Sequence, residues 1–220
     1  MEITRTKVLA SERVRIWVDG EEEPRAELAL DLFMKAGLAA GDSLSATRLD
    51  ELTREDEAYR ARAAAMNLLA HRARSREELR RRLGRKEFPA PVIEETLEWL
   101  ADRGYVDDRA FAESFVRDRL RLRPRGRLGL IQELRRKGVD GAVAETAIAE
   151  VMAAEDVSER DLALEAARAW ARKNRSALRR AGRSKEEWRR ARRRLYGHLA
   201  RRGFVGDAVR AAIDAVLDGD

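Results

Sequence analysis

The 220-residue chain contains no cysteine. That removes disulfide bridges, thiolate-ligated zinc and cysteine nucleophiles together, and it agrees with a reducing compartment. Histidine is nearly as scarce: His71 and His198 stand far apart, with no HExxH and no cysteine or carboxylate cluster at ligand spacing. No stretch approaches the roughly 20 apolar residues of a membrane span. The N-terminal MEITRTKVLA lacks the apolar core of a signal peptide, so a cytoplasmic location is expected. Neither GxxxxGKS/T nor GxGxxG occurs, and Gly126-Arg-Leu-Gly129 reads as a turn. Acidic pairs such as Glu77–Glu78 and Asp107–Asp108 lie at helix starts, where capping and dipole complementarity account for them. These absences leave no catalytic residue, no metal site and no cofactor motif, and the chain reads as a binding protein rather than an enzyme. Aromatic residues make up only 5%. Phe111, Phe115, Trp99 and Trp188 fall at helical core spacing, which assigns them to packing rather than to a base-stacking platform.

Charge is abundant instead, at 39% of residues, and unevenly spread. Residues 1–57 hold 8 Lys and Arg against 14 Asp and Glu, whereas residues 58–220 hold 38 against 26. A basic body behind an acidic start is the electrostatic footprint of a partner rich in phosphates or carboxylates.

The first residues alternate like strands. Val14, Ile16 and Val18 recur at every second position, and Ser11-Glu12 can form the turn of a hairpin over Ile3–Asp19. Glu27–Ala36 has a helical pattern that stops at Gly37, and a short helix is expected near Ala46–Leu52. From Glu55 onward only the helical period is present, giving about nine helices. Ser75 with Glu78 and Ser184 with Glu187 have capping-box spacing, Asp107 or Asp108 can cap the helix of Phe111, and Pro89 and Pro91 suit a helix entry.

Self-comparison groups those helices. LGRKEFPAPVIEETLEWL from Leu83, LRRKGVDGAVAETAIAEV from Leu134 and LARRGFVGDAVRAAIDAV from Leu199 align without gaps. Leu83, Leu134 and Leu199 superpose, as do Phe88, Val139 and Phe204, and Leu97, Ile148 and Ile213. Another helix precedes each copy, at about Ala58–His71, Arg109–Arg121 and Arg160–Arg172. The fold expected is mainly α: three tandem three-helix modules in an elongated, curved array, behind a small β-hairpin and helix. The boundaries are 1–54 for the cap, then 55–105, 106–155 and 156–220. The third module carries about 14 extra residues, read as lengthened helices around the arginine-rich stretch Arg172–Arg194.

The basic residues concentrate on the middle helix of each module, away from a narrow apolar stripe. They are Arg80, Arg81, Arg82, Arg85 and Lys86 in the first module, then Arg135, Arg136 and Lys137 in the second. The third has Arg189, Arg190, Arg192, Arg193, Arg194, Arg201 and Arg202. Arg117, Arg119, Arg121, Arg123, Arg125 and Arg127 alternate along a helix end and loop between. Solvated faces balanced by glutamate would explain one such cluster. Repetition on the same helix, with arginine far ahead of lysine, favours a surface for bidentate phosphate or carboxylate contacts.

The stretch Arg103–Val139, RGYVDDRAFAESFVRDRLRLRPRGRLGLIQELRRKGV, resembles the signature of the bacterial RecX regulators. Gly104, Tyr105, Asp107, Asp108, Phe111, Ala112, Phe115, Val116, Glu133, Leu134, Lys137 and Gly138 match it in order, and SREELRRRLGRKEF is similar to the first-module signature. The chain departs from the family's Pro-x-x-I step, reading Pro124-Arg-Gly-Arg-Leu128, and its third module is longer. The resemblance implies a regulator that lodges in the groove of the RecA filament on single-stranded DNA; from the residues themselves the chain is expected to be monomeric, without cofactor or membrane association. It further implies modulation, usually inhibition, of strand exchange, ATP hydrolysis and coprotease action. A DNA-binding helical-repeat protein acting independently of RecA, or a structural scaffold, would share the basic helices alone.

Overall fold

The structure is a computed structural model that describes residues 1–218. It divides into two compact units. One comprises Met1–Ala73 with Leu79–Tyr105; the other comprises Arg74–Glu78 with the described residues from Val106 on.

The first unit begins with a three-stranded antiparallel sheet in the order β1 (Ile3–Val8), β2 (Arg13–Val18), β3 (Ala26–Ala29). The hairpin pairs Val8 with Val14 and Thr6 with Ile16, and turns at Glu12, whose φ is +56°. The third strand corrects the expected helix start at Glu27. Ala26 and Leu28 alternate with Glu27 in strand fashion, and Glu27 is held by Arg13 at 2.7 Å and Arg15 at 2.9 Å from the neighbouring strand. Helix α1 is therefore short, Leu30–Lys35. Ile3, Val14, Ile16, Val18, Leu28, Phe33 and Leu44 form a core with Leu49 and Leu52 of α2 (Ala46–His71).

That 26-residue helix replaces the two helices expected over Ala46–Leu52 and Ala58–His71, and the boundary at 54/55 falls inside it. Its buried positions explain the misreading. Leu49, Leu52 and Asp56 follow one stripe, but Ala58, Ala61 and Ala65 lie on the opposite side of a 3.6-residue helix. The first half covers the sheet and the second packs on α4, so the break in phase marks a change of partner, not a helix end. At the switch, buried Asp56 accepts from Ala29 N–H at 2.7 Å and pairs with Arg13 at 2.9 Å, fastening β3 and β2 to α2. Helices α3 (Arg76–Gly84) and α4 (Ala90–Asp102, entered through Pro89) follow.

The second unit holds two helical groups. Asp107 caps α5 (Asp108–Leu122) by accepting from Arg109 and Ala110 N–H; α6 (Arg127–Arg136) and α7 (Gly141–Ala154) complete a core around Phe111, Val116, Leu134 and Ile148. The next core joins α8 (Glu159–Lys173), α10 (Lys185–Ala200) and α11 (Gly206–Leu217) around Trp170, Leu195, Leu199, Phe204 and Ile213. Between α8 and α10 stands a separate helix, α9 (Arg175–Ala181), where only lengthened helices were expected. Ten helices, α2 to α11, therefore cover the described residues from Ala46 on, rather than about nine. The full capping box forms at Ser158 and Asp161. At Ser75 and Ser184 the hydroxyl caps the helix, but the carboxylates of Glu78 and Glu187 pair with Arg74 and Arg190.

The three aligned segments end their middle helices alike. Phe88, Val139 and Phe204 N–H donate to the carbonyls of Leu83, Leu134 and Leu199, while Glu87, Gly138 and Gly203 take positive φ at 64°, 84° and 80°. This is the left-handed helix stop that favours glycine. Glu87 occupies it at a strain of about 1 kcal/mol.

Candidate basic binding surface

The structure separates the predicted cations into those tied to the protein's own acids and those that are not. On α3, Arg80 grips Glu94 of α4 with two bonds, 2.6 and 2.8 Å, and Arg81 is also engaged. Arg82, Arg85 and Lys86 are exposed, with no ion pair to a described residue. On α5, Arg117 reaches Glu113 and Glu155, while Arg119 at 2.6 Å and, from the following loop, Arg125 at 3.0 Å share Glu133. Arg136 donates to the Gln132 carbonyl, Arg135 lies near Asp140, and Lys137 sits over the rings of Phe111 and Phe115. On α10, Arg190 pairs with Glu186 and Glu187, and Arg192 lies over Trp188.

A further set of side chains in the second unit is also without a carboxylate among the described residues. Arg121, Arg123 and Arg127 flank the α5–α6 loop; Arg189, Arg193 and Arg194 line α10; Arg201 and Arg202 follow at its end. Three glycines bring the loop and the end of α10 together. Gly126 N–H donates to the Arg202 carbonyl at 3.0 Å. A Cβ would lie 2.3 Å from the Gly203 oxygen at position 126, 2.3 Å from the Arg202 oxygen at 129, and 2.0 Å from the Gly129 nitrogen at 203. No side chain fits such a backbone-to-backbone approach. Gly126-Arg-Leu-Gly129, read from sequence as a turn, is thus the head of α6 pressed onto the turn after α10. The i, i+3 glycine spacing was the available signal, but its partner Gly203 lies 74 residues beyond Gly129.

This clasp sets like charges together. Burial lowers the Arg202 guanidinium's pKa below its ordinary value, and repulsion from Arg125 and Arg123 lowers it further. Burial likewise depresses His198, with added repulsion from Arg202, Arg201 and Lys173. Glu133 already serves Arg119 and Arg125, so neither Arg123 nor Arg202 has a countercharge within ion-pair distance among the described residues. An anion placed here gains attraction from several guanidiniums and relieves their mutual repulsion.

The aromatic residues divide. Phe111 is buried, whereas Trp99 and Trp188 are half-buried and carry cations: Arg62 and Arg103 over Trp99, and Arg192 over Trp188. Among the described residues there is no group of three or more potential metal ligands, and no helix is long and apolar enough to cross a membrane.

Comparison with known proteins gives one answer. Residues 61–100 match the family described as RecX, first three-helix domain, and residues 107–148 match RecX, second three-helix domain. The Regulatory protein RecX of Corynebacterium efficiens is 36% identical over 178 residues, covering 79% of this chain and 81% of its own. That of Chlorobium phaeobacteroides is 34% identical over 153 residues, covering 70% and 91%. A crystal structure of regulatory protein RecX aligns with a TM-score of 0.68 at 22% identity over 97% of this chain and all of that one. RecX from Lactobacillus salivarius aligns at 0.61 and 23% identity, over 74% and 98%.

Proposed function

The chain belongs to the RecX family, and on that premise we propose that it binds the RecA filament on single-stranded DNA and inhibits its recombinase, ATPase and coprotease activities. The observation that carries this reading is the convergence of Arg123, Arg201 and Arg202 at the glycine clasp, where guanidiniums meet without an internal acid. A nucleoprotein filament presents phosphates and carboxylates in repeating array, so several modest basic patches on one chain act together through high effective concentration. Phosphate neutralisation also makes binding salt-dependent, with about 0.7 counterion released per single-strand phosphate contacted. The protein then works by occupancy rather than by chemistry.

The test is RecA-catalysed ATP hydrolysis on single-stranded DNA with wild type and an Arg123→Glu/Arg201→Glu variant. Both side chains are exposed, so the variant keeps its helical content. It is expected to inhibit at least about tenfold more weakly, equivalent to about 1.4 kcal/mol of lost binding. A folded variant that inhibits as wild type does would remove the clasp from the contact surface. Equal affinity of wild type for naked DNA and for the filament would replace this reading with a DNA-binding protein acting without RecA.

A further inference from the structure

Helix α9 has no counterpart in the first two helical groups. Together with α10 it frames a cleft of about 440 Å³ that is open to solvent, within the range of about 300–1,000 Å³ usual for small-ligand sites. Ala177 and Ala191, both buried, form a small-residue floor that lets a ligand approach the helices closely. The walls are Arg180 of α9 and Arg190, Arg193 and Arg194 of α10. Glu187 is the one acid in the lining, 3.7 Å from Arg180 and 3.1 Å from Arg190, with Glu186 reaching Arg190 from outside at 2.7 Å. Arg193 and Arg194 are exposed and pair with no carboxylate among the described residues.

The spacing is deliberate in helical terms. Glu187, Arg190, Ala191 and Arg194 recur at i, i+3, i+4 and i+7, so one face of α10 looks across to Arg180. The chemistry of the lining is equally narrow. No aromatic ring, hydroxyl or amide side chain is available to recognise a base or a sugar. Forked guanidiniums recognise oxyanions bidentately, and four of them against the one lining carboxylate leave a positive charge that favours an anion of more than one phosphate group.

We propose that the α9–α10 cleft binds a short linear polyphosphate, free or as the tail of a nucleoside triphosphate, with Glu187 competing for the same guanidiniums. The site is independent of the RecA reading, since it depends on the inserted helix and not on the clasp.

The experiment is calorimetric titration of the full chain with tripolyphosphate, ATP and sulfate at constant ionic strength, with an oligothymidylate as a fourth ligand. Tripolyphosphate is expected to bind one to one and sulfate not to compete. Comparable binding of ATP identifies the nucleotide tail as a ligand, and its failure restricts the site to free polyphosphate. Arg193→Gln/Arg194→Gln, on an exposed face, should weaken tripolyphosphate by about tenfold or more, since it removes two charge-assisted contacts. Glu187→Gln should tighten it about threefold by removing the internal competitor. Arg82→Gln/Arg85→Gln, at the end of α3, should leave tripolyphosphate binding unchanged. The proposal is overturned if the α3 variant weakens binding as much as the α10 variant, if Glu187→Gln weakens it in a protein of unchanged helicity, or if sulfate displaces the ligand. It is equally overturned if only the oligonucleotide binds through Arg193 and Arg194, because the occupant is then a nucleic-acid strand.

Discussion

The two units place arginine differently. In the first, Arg13, Arg15, Arg62 and Arg80 are each tied to a carboxylate, and the Arg13–Asp56 pair closes over a buried acid that also receives a backbone N–H. In the second, the loop before α6 and the end of α10 hold guanidiniums that repel one another. A paired arginine fixes the fold and has little charge left to offer; an unpaired one burdens the fold and attracts an anion. Counting basic residues along the sequence cannot make that distinction: Arg80 on α3 and Arg202 just past α10 both read as cations of a basic middle segment, yet of the two only Arg80 pairs with a carboxylate among the described residues.

The sharpest way to break the comparison is to disturb the backbone contact that gathers the unpaired charges. Gly129→Val would drive a Cβ to 2.3 Å from the Arg202 carbonyl oxygen, whereas Gly84→Ala on α3 meets nothing within 4 Å. The first should destabilise the protein by about 3 kcal/mol or more through overpacking against main chain. The second should stay within about 0.5 kcal/mol of wild type. Denaturant unfolding measures both; equal midpoints would mean that the clasp yields freely.

A smaller effect sharpens the comparison by sign. Arg80→Gln removes a two-bond pair with Glu94 whose partners are 38% and 45% exposed, a loss of about 0.5–1 kcal/mol. Arg202→Gln removes a repelled guanidinium whose nearest bond, to the Pro124 carbonyl, is 3.4 Å long, and should raise stability by about 0.3 kcal/mol at low salt. High salt should shrink both differences. If Arg202→Gln destabilises as Arg80→Gln does, Arg202 is a structural residue.

Much of this architecture was legible from periodicity and repetition. The aligned leucines Leu83, Leu134 and Leu199 are all fully buried, and the positions that follow them end their helices in the same left-handed turn. What escaped were features decided by partners distant in sequence. Glu27 reads as helical until Arg13 and Arg15 claim it across a strand. The stripe of α2 looks broken until its two halves are seen to face different neighbours. Helix α9 was hidden because Ala177 and Ala181 are the only residues it buries, too little apolar pattern to separate it from a lengthened neighbour. At the candidate surface, the basic positions were visible, but which of them a glutamate neutralises depends on pairings such as Arg119 and Arg125 on Glu133.

Acid should reveal the comparison last and most gently, because the two units carry opposite kinds of titrating group. Glu27 is held below its ordinary 4.5, first by the hydrogen bond from Arg15 and then by that from Arg13. Its contribution is present above the carboxylate range and is lost only as pH falls through the depressed folded value. His198 is held below its ordinary 6.5 by burial and then by Arg202, Arg201 and Lys173. The unfolded chain therefore takes up this proton first, and the second unit weakens as pH falls from about 6.5 toward the lower folded value. The capping carboxylates Asp140 and Asp161, also depressed, add their losses to the second unit only at lower pH, in the window of Glu27. Amide hydrogen exchange across a pH series, corrected for intrinsic rates, should thus show α8, α10 and α11 losing protection in mild acid while β2 and β3 hold. Loss in β2 and β3 first would contradict the assignment. Adding a single-stranded oligonucleotide supplies the missing countercharge near Arg202, so the His198 ring resonances should titrate at higher pH with the oligonucleotide than without it. An unchanged His198 titration in a protein saturated with the oligonucleotide would place the bound phosphates away from the clasp, and the unpaired arginines there would be a burden on the fold without a ligand to relieve it.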